Sequence, residues 1–326
     1  MEPSYLKLYR TGELEKRLII LEKMLESCSV CPRDCGTNRF NHEQGFCLAE
    51  YDPLVSSVCD HHGEEPVLSG VNGSGTVFFG SCNLRCVYCQ NHQISQNRSY
   101  FSGLSVKTSQ LAKNIVALQN DKGVHNINFV SPSHFVPQMV RAIYEAIPLG
   151  LRVPIVYNTN AYDSLTVIKL LDGIVDIYLP DLKYDEDAPA EKYSRGLNYA
   201  HYARAAIKEM YRQVGNLKVD KKGIAQRGLI VRHLILPNDI SGTKNVLTWL
   251  AKEISGDVTI SLMSQYHPMH KSSKYNLLSR QISYNEYLSA VAVLEKLNMY
   301  NSYIQEMDAP EHYLPDFSND GHPFER

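Results

Sequence analysis

The sequence predicts an α/β protein, a partial (β/α)6 barrel of the TIM type with an N-terminal Cys-rich extension, and three observations predict it. From Gly75 onward, short β-branched runs alternate with helical segments, the sequence form of repeated βα units around a parallel sheet. The runs are apolar enough to be buried on both faces, as parallel strands require. All eight cysteines lie between Cys28 and Cys89, ahead of this pattern or at its start.

The elements follow in order. Glu13 to Glu26 places Leu14, Leu18, Leu21 and Leu25 at helical spacing and reads as an amphipathic helix. Cys28 to Asp60 is turn-rich and lacks a long periodic segment, so something other than an apolar core must hold its shape. Six strands are expected at Thr76–Phe79, Asn126–Val130, Pro154–Asn158, Ile174–Leu179, Leu229–Leu236 and Val258–Met263. Helices are expected at Thr108–Asn120, Pro137–Ile147, Ser164–Leu171, Thr243–Ile254 and Ser283–Leu297, the last opening with the capping box Ser283-x-x-Glu286. Tyr184 to Gln226 is polar and helix-prone and reads as the crossover after the fourth strand. After Met307, Pro310, Pro315 and Pro323 mark an irregular tail along the surface. The chain divides into a helix and Cys-rich metal-binding segment (1–74), the barrel (75–307) and the tail (308–326).

Composition narrows the function. With 44% hydrophobic and 21% charged residues and a net charge of −2, nothing favours nucleic acid or an acidic membrane as a partner. No apolar run approaches the roughly 18 residues of a spanning helix. Met1 to Arg10 lacks the apolar stretch of a signal peptide, and a cytoplasmic location is expected. In a reducing compartment, clustered cysteines point to metal or redox chemistry rather than disulfides.

The loop after the first strand reads Cys82-Asn-Leu-Arg-Cys86-Val-Tyr-Cys89, a C-x3-C-x2-C spacing. Thiolates at these offsets can converge on three corners of a [4Fe–4S] cluster and leave one iron open to a bidentate ligand such as the methionine end of S-adenosylmethionine (SAM). Zinc is the alternative, but structural zinc sites favour four ligands in separated pairs. Upstream, Cys28-x2-Cys31-x3-Cys35-x11-Cys47 offers four thiols for a second metal, with Cys59, His61 and His62 following. A tetrahedral zinc, an auxiliary iron–sulfur cluster and free buried thiols are all compatible with that spacing.

The cluster loop resembles the motif of radical SAM enzymes, in which an aromatic residue, here Tyr88, commonly precedes the third cysteine. Cys31-Pro-Arg-Asp-Cys35-Gly-Thr-Asn-Arg39, Tyr157-Asn-Thr-Asn160, Leu179-Pro-Asp-Leu-Lys183-Tyr, Arg232-His-Leu-Ile-Leu-Pro237 and Ser261-Leu-Met-Ser-Gln-Tyr266 extend the likeness over roughly Cys28 to Met307. Together they resemble the group related to pyruvate formate-lyase activating enzyme. The resemblance implies reductive cleavage of SAM to a 5′-deoxyadenosyl radical that takes a hydrogen atom from substrate. It implies an electron donor such as flavodoxin or ferredoxin, and a partner protein activated at a glycyl radical site. Modification of another peptide or small molecule is a second reading, and a non-catalytic module sensing iron or redox state is a third.

Barrel enzymes place their chemistry at the carboxyl ends of the strands. Ser131-Pro-Ser133-His134 follows the second strand, where the relatives usually carry a glycine-rich turn that orders the SAM amine; its hydroxyls and imidazole are candidates for that role. Asn158 and Asn160 after the third strand offer amides for a ribose or carboxylate, or else cap the turn. Asp181 and Lys183 after the fourth stand two residues apart on one side of the chain, and in relatives with a similar Asp-Leu-Lys run this region contacts SAM; a mutual ion pair is the alternative. Arg232 and His233 fall inside the fifth strand, so one of them must face the lumen. Arg232 suits the SAM carboxylate, and His233 faces either the adenine or the opposite side. Gln265, Tyr266 and His267 lie across the barrel mouth, where substrate must wait.

Overall fold

The computed structural model describes residues 1–101, 103–307, 315–317 and 322–324. Its strands are β1 (Val55–His61), β2 (Ser74–Phe79), β3 (Ile127–Val130), β4 (Ile155–Thr159), β5 (Ile177–Pro180), β6 (Lys218–Val219), β7 (Ala225–Leu234), β8 (Thr259–Met263) and β9 (Ser302–Ile304). They pair in the order β1-β2-β3-β4-β5-β7-β8-β9, with β6 joined to β7 as a short hairpin. From β2 through β9 every neighbouring pair on this path is parallel, while β1 runs antiparallel against β2 at the edge. This is the α/β partial barrel that the alternating runs predict. The six expected strands appear as β2, β3, β4, β5, β7 and β8, and the side chains of β2, β4, β5 and β8 are buried along their whole length.

Eleven helices are described: α1 (Ser4–Arg10), α2 (Glu13–Lys23), α3 (Pro66–Ser69), α4 (His92–Gln96), α5 (Thr108–Ala117), α6 (Val136–Ala146), α7 (Leu165–Leu170), α8 (Asp187–Ser194), α9 (Tyr199–Val214), α10 (Thr243–Glu253) and α11 (Tyr284–Lys296). Leu14, Leu18 and Leu21 of α2 are buried on one face, and Leu25 just beyond the helix joins them in the core. α11 carries the expected capping box, with Ser283 Oγ accepting from the Glu286 N–H at 3.3 Å. Among the described residues no helix is long and apolar enough to cross a membrane.

The sequence reading misses β1, β6 and β9. β1 reads Val-Ser-Ser-Val-Cys-Asp-His, and its register against β2 shifts between Val55 and Ser57, which breaks the alternation that marks a strand. β6 and β9 are two and three residues long. Of the expected tail, Pro310 lies outside the described residues. The pieces that are described turn inward: Phe324 stacks on His61 at 4.1 Å, Phe317 packs edge-on against Phe78 at 5.3 Å, and His322 Nε2 bonds the Asp60 carbonyl at 2.8 Å.

Candidate functional site

The parallel strands end on one side, where a cavity of about 460 Å³ opens. Cys82, Cys86, Tyr88 and Cys89 form one wall, Asn158, Asn160, Asp181 and Lys183 another, and Arg232, Ser261 and Met263 a third. Ser131, Gln265, Tyr266 and His267 complete its rim together with the tail's Pro315 and Phe324.

The cluster loop starts where β2 ends, so the sheet sets its position. Gly80 N–H bonds the Leu54 carbonyl at 2.8 Å, and Val87 N–H bonds the Tyr193 carbonyl at 2.8 Å, which tie the loop to β1 and α8. Each thiol has a polar neighbour. Cys82 Sγ accepts from the Leu84 N–H and from Asn160 Nδ2, both at 3.4 Å. Cys86 Sγ accepts from Ser194 Oγ at 3.0 Å, and Cys89 Sγ shares a hydrogen bond with Ser95 Oγ at 3.3 Å. A buried relay backs Cys86: the Tyr88 and Tyr184 hydroxyls stand 2.7 Å apart, and Tyr184 reaches Ser194 Oγ at 2.7 Å. Burial pushes all three thiols above their ordinary range, Cys89 to about 12. Among the described residues no three His, Cys, Asp or Glu groups stand ready-made in coordinating positions. The chemistry of this wall nonetheless suits a cluster: three thiols share one cavity, and donors are aimed at their sulfurs, the arrangement that stabilises thiolate ligands.

The other expected residues divide. Asn158 lines the cavity, while Asn160 does two jobs, donating to Cys82 and to Asn83 Oδ1 at 2.8 Å and capping its own turn by accepting from the Tyr162 N–H at 2.9 Å. Lys183 Nζ and Asp181 Oδ2 form an ion pair at 2.5 Å on the cavity wall. Burial opposes the lysine charge, but Asp181 and Cys86 outweigh it and hold Lys183 protonated above its ordinary range. Tyr199 braces both loops, its hydroxyl donating to the carbonyls of Asn160 at 2.9 Å and Asp181 at 2.7 Å. Ser131 lines the cavity with φ of 56°, the left-handed conformation that a glycine would favour.

Three expectations are corrected. Ser133 and His134 do not reach the cavity: Ser133 Oγ bonds Thr159 Oγ1 at 3.0 Å, and His134 Nε2 bonds the Gly80 carbonyl at 3.0 Å within the fold. The Ser131 turn continues into a 3-10 turn over Pro132–His134, which carries both side chains into the core. His233 points away from the lumen because successive strand residues alternate faces, and Arg232 takes the inner one. Its ring bonds the Leu182 carbonyl at 2.7 Å and Thr243 Oγ1 at 3.0 Å. Burial pushes the imidazoles of His233 and His134 down to about 4 and about 3, so both are neutral near pH 7.

Arg232 is engaged by protein rather than open for a ligand carboxylate. Nε and Nη2 bond the two Glu65 oxygens at 2.7 Å each, and Nη2 also bonds Glu64. Glu64 and Glu65 are the principal residues that sequence reasoning missed. The signal was available, since an arginine inside a strand requires a buried counter-charge, and Glu64-Glu65-Pro66 is an acidic pair at the start of a helix. Tyr184, Ser194 and Tyr199 were also missed, within a segment read only as a crossover. At the rim, Tyr266 packs, its hydroxyl donating to the Leu278 carbonyl at 2.7 Å, while His267 Nδ1 contacts Gln281 Nε2 at 3.1 Å.

Comparison with known proteins shows a likeness in this region: residues 76–218 match the family model described as the Radical SAM superfamily. The superfamily implies a [4Fe–4S] cluster and SAM, and supports reductive SAM cleavage in general terms. An uncharacterized protein of Methanocaldococcus jannaschii is 29% identical over 293 residues, covering 88% of this chain and 79% of its own length. A solved structure described as native anSMEcpe with bound AdoMet aligns over 69% of this chain with 14% identity and a TM-score of 0.43, and this chain spans 61% of that protein's length.

Proposed function

We propose that the protein is a radical SAM enzyme whose cluster is held by Cys82, Cys86 and Cys89 and whose SAM lies among Ser131, Asn158, Asn160, Asp181 and Lys183. The observation that carries this reading is the convergence of the three loop thiols, each with its own polar partner, on a cavity walled by strand ends. When bound, the cluster supplies the electron that cleaves the S–C5′ bond of SAM. The chain's own residues orient and enclose. Lys183 presents an ammonium and Asp181 a carboxylate toward groups of opposite charge on SAM, Asn158 offers its amide, and the buried Tyr88–Tyr184–Ser194 relay fixes the Cys86 sulfur. Phe324 and Pro315 narrow the mouth and exclude water. In this reading residues 75–307 are the catalytic barrel, and 1–74 and 308–326 are its extensions.

Anaerobically reconstituted protein is expected to bind about four irons per chain through Cys82, Cys86 and Cys89 and to show an electron paramagnetic resonance signal, after reduction, that changes on adding SAM. Equal iron binding by a protein lacking Cys82, Cys86 and Cys89 contradicts the assignment.

The motif likeness extends the reading to a substrate: a partner protein on which a glycyl radical is generated, with flavodoxin or ferredoxin as reductant. A glycyl radical signal on a glycine-loop protein incubated with reduced enzyme and SAM supports it. Deuterium transfer into 5′-deoxyadenosine from another peptide or a small molecule, without that signal, replaces it.

A further inference from the structure

The Cys-rich segment contains a second convergence that the SAM site does not use. After α2 the chain turns back on itself: Cys28 N–H bonds the Thr37 carbonyl at 2.9 Å, Gly36 N–H bonds the Cys28 carbonyl at 3.1 Å, and Asp34 N–H bonds the Cys31 carbonyl at 3.0 Å. These turns gather the thiols. Cys35 Sγ donates to the Cys28 carbonyl at 4.0 Å and stands 3.4 Å from Thr37 Oγ1. A later turn adds Cys47, because Gly45 approaches so closely that a Cβ built on it would lie 2.5 Å from Cys35 Sγ. A side chain there would have to displace the Cys35 thiol. Cys28, Cys31 and Cys47 are buried and Cys35 is half-buried.

Arg39 is the independent observation. Its side chain is 1% exposed, and its charge cannot be removed by deprotonation. It makes no ion pair with a carboxylate among the described residues. Nη1 donates to the His134 carbonyl at 2.5 Å, Nη2 donates to Cys47 Sγ at 3.6 Å, and Nε has no hydrogen-bond partner. A buried guanidinium with no carboxylate partner is costly. Four thiolates around a divalent ion carry a net charge of −2, and four around a [4Fe–4S] cluster are likewise anionic, so either centre gives Arg39 a buried counter-charge.

We propose that Cys28, Cys31, Cys35 and Cys47 bind a thiophilic metal centre, separate from the cluster loop, with Arg39 as its buried counter-ion. Loading a divalent ion releases to solvent whatever protons the four thiols carry. The segment touches the cluster loop directly. Ser81 Oγ bonds the Cys47 carbonyl, Arg33 Nε bonds the Asn83 carbonyl at 2.9 Å, and Arg85 Nη2 bonds the Phe46 carbonyl at 2.6 Å. The centre therefore braces the loop from outside the barrel. This inference stands on the four thiols and Arg39 and does not rest on the SAM reading.

The test is metal content in protein purified anaerobically from cells supplied with iron and zinc. A Cys82→Ala/Cys86→Ala/Cys89→Ala variant isolates the second site. It is expected to retain about one zinc per chain, or about four irons with sulfide if the centre is a cluster. Adding Cys31→Ala and Cys47→Ala is expected to bring that metal to background. No stoichiometric metal in the triple variant, or metal unaffected by the further substitutions, overturns the proposal. Should the triple variant not fold, the wild type is compared with Cys31→Ala. Loss of about one zinc at constant iron, or a fall from about eight irons to about four, supports it, and unchanged metal content overturns it.

Discussion

Cys82, Cys86 and Cys89 occupy a loop whose position comes from β2 and the strands beside it, whereas Cys28, Cys31, Cys35 and Cys47 occupy turns with one 3-10 segment, Arg39–Asn41, and no strand. The first group is presented by the barrel; the second organises its own surroundings. The neighbours differ accordingly. Donors such as Ser194 and Asn160 come to the loop thiols from α8 and the β4 end, while in the N-terminal group Cys35 meets the Cys28 carbonyl and Cys47 meets Arg39. Removing a loop thiol should therefore damage chemistry, and removing an N-terminal thiol should damage folding.

The largest expected effect tests that contrast. Cys31→Ala should lower the calorimetric melting temperature by on the order of 10 °C, because loss of the metal proposed there would remove folding free energy directly. Cys86→Ala should lower it by only about 2–4 °C while abolishing iron binding at the loop. Equal shifts would erase the distinction between the two groups.

Next is the acidic pair beneath the cavity. Arg232→Met leaves Glu64 and Glu65 buried without their cation and should cost about 3–5 kcal/mol in urea unfolding. A loss below about 1 kcal/mol would place the pair in contact with solvent. Lys183→Met should weaken SAM binding about tenfold in equilibrium dialysis, the equivalent of about 1.4 kcal/mol, with the loop iron retained. Unchanged affinity would reduce Lys183 to a partner of Asp181.

The smallest effect concerns the two imidazoles that miss the cavity. Burial lowers the pKa values of His134 and His233 from 6.5 to about 3 and about 4 in the folded protein. The unfolded chain then binds more protons below pH 6.5, so the stability held above that pH is lost as pH falls toward 4. His233→Gln should flatten part of this acid slope in a pH series of melts and leave SAM affinity unchanged. A drop in SAM affinity would return His233 to the site.

How far the sequence carried the site can be judged from particular residues. The six parallel strands were legible because burial on both faces writes continuous apolar runs, and the cluster loop because its spacing is local. β1 was not, since a bulged edge strand of mixed polarity has neither signature. Asn158, Asp181, Lys183 and Arg232 reach the cavity as their strand ends imply. Ser133, His134 and His233 do not, because which face a residue takes depends on register and on the turn after Ser131, neither of which is local in sequence. The Arg232 pairing with Glu64 and Glu65 spans 168 and 167 residues of chain, and it is visible only once β7 and the start of α3 are brought together.

The central claim is that the loop thiols and the strand-end cavity form a SAM-cleaving site. The direct measurement is 5′-deoxyadenosine and methionine formed when anaerobically reconstituted protein is reduced with dithionite in the presence of SAM. The account predicts both products from the wild type and neither from Cys82→Ala, Cys86→Ala or Cys89→Ala. No 5′-deoxyadenosine from the iron-loaded wild type, with those three cysteines dispensable for iron binding, would contradict it.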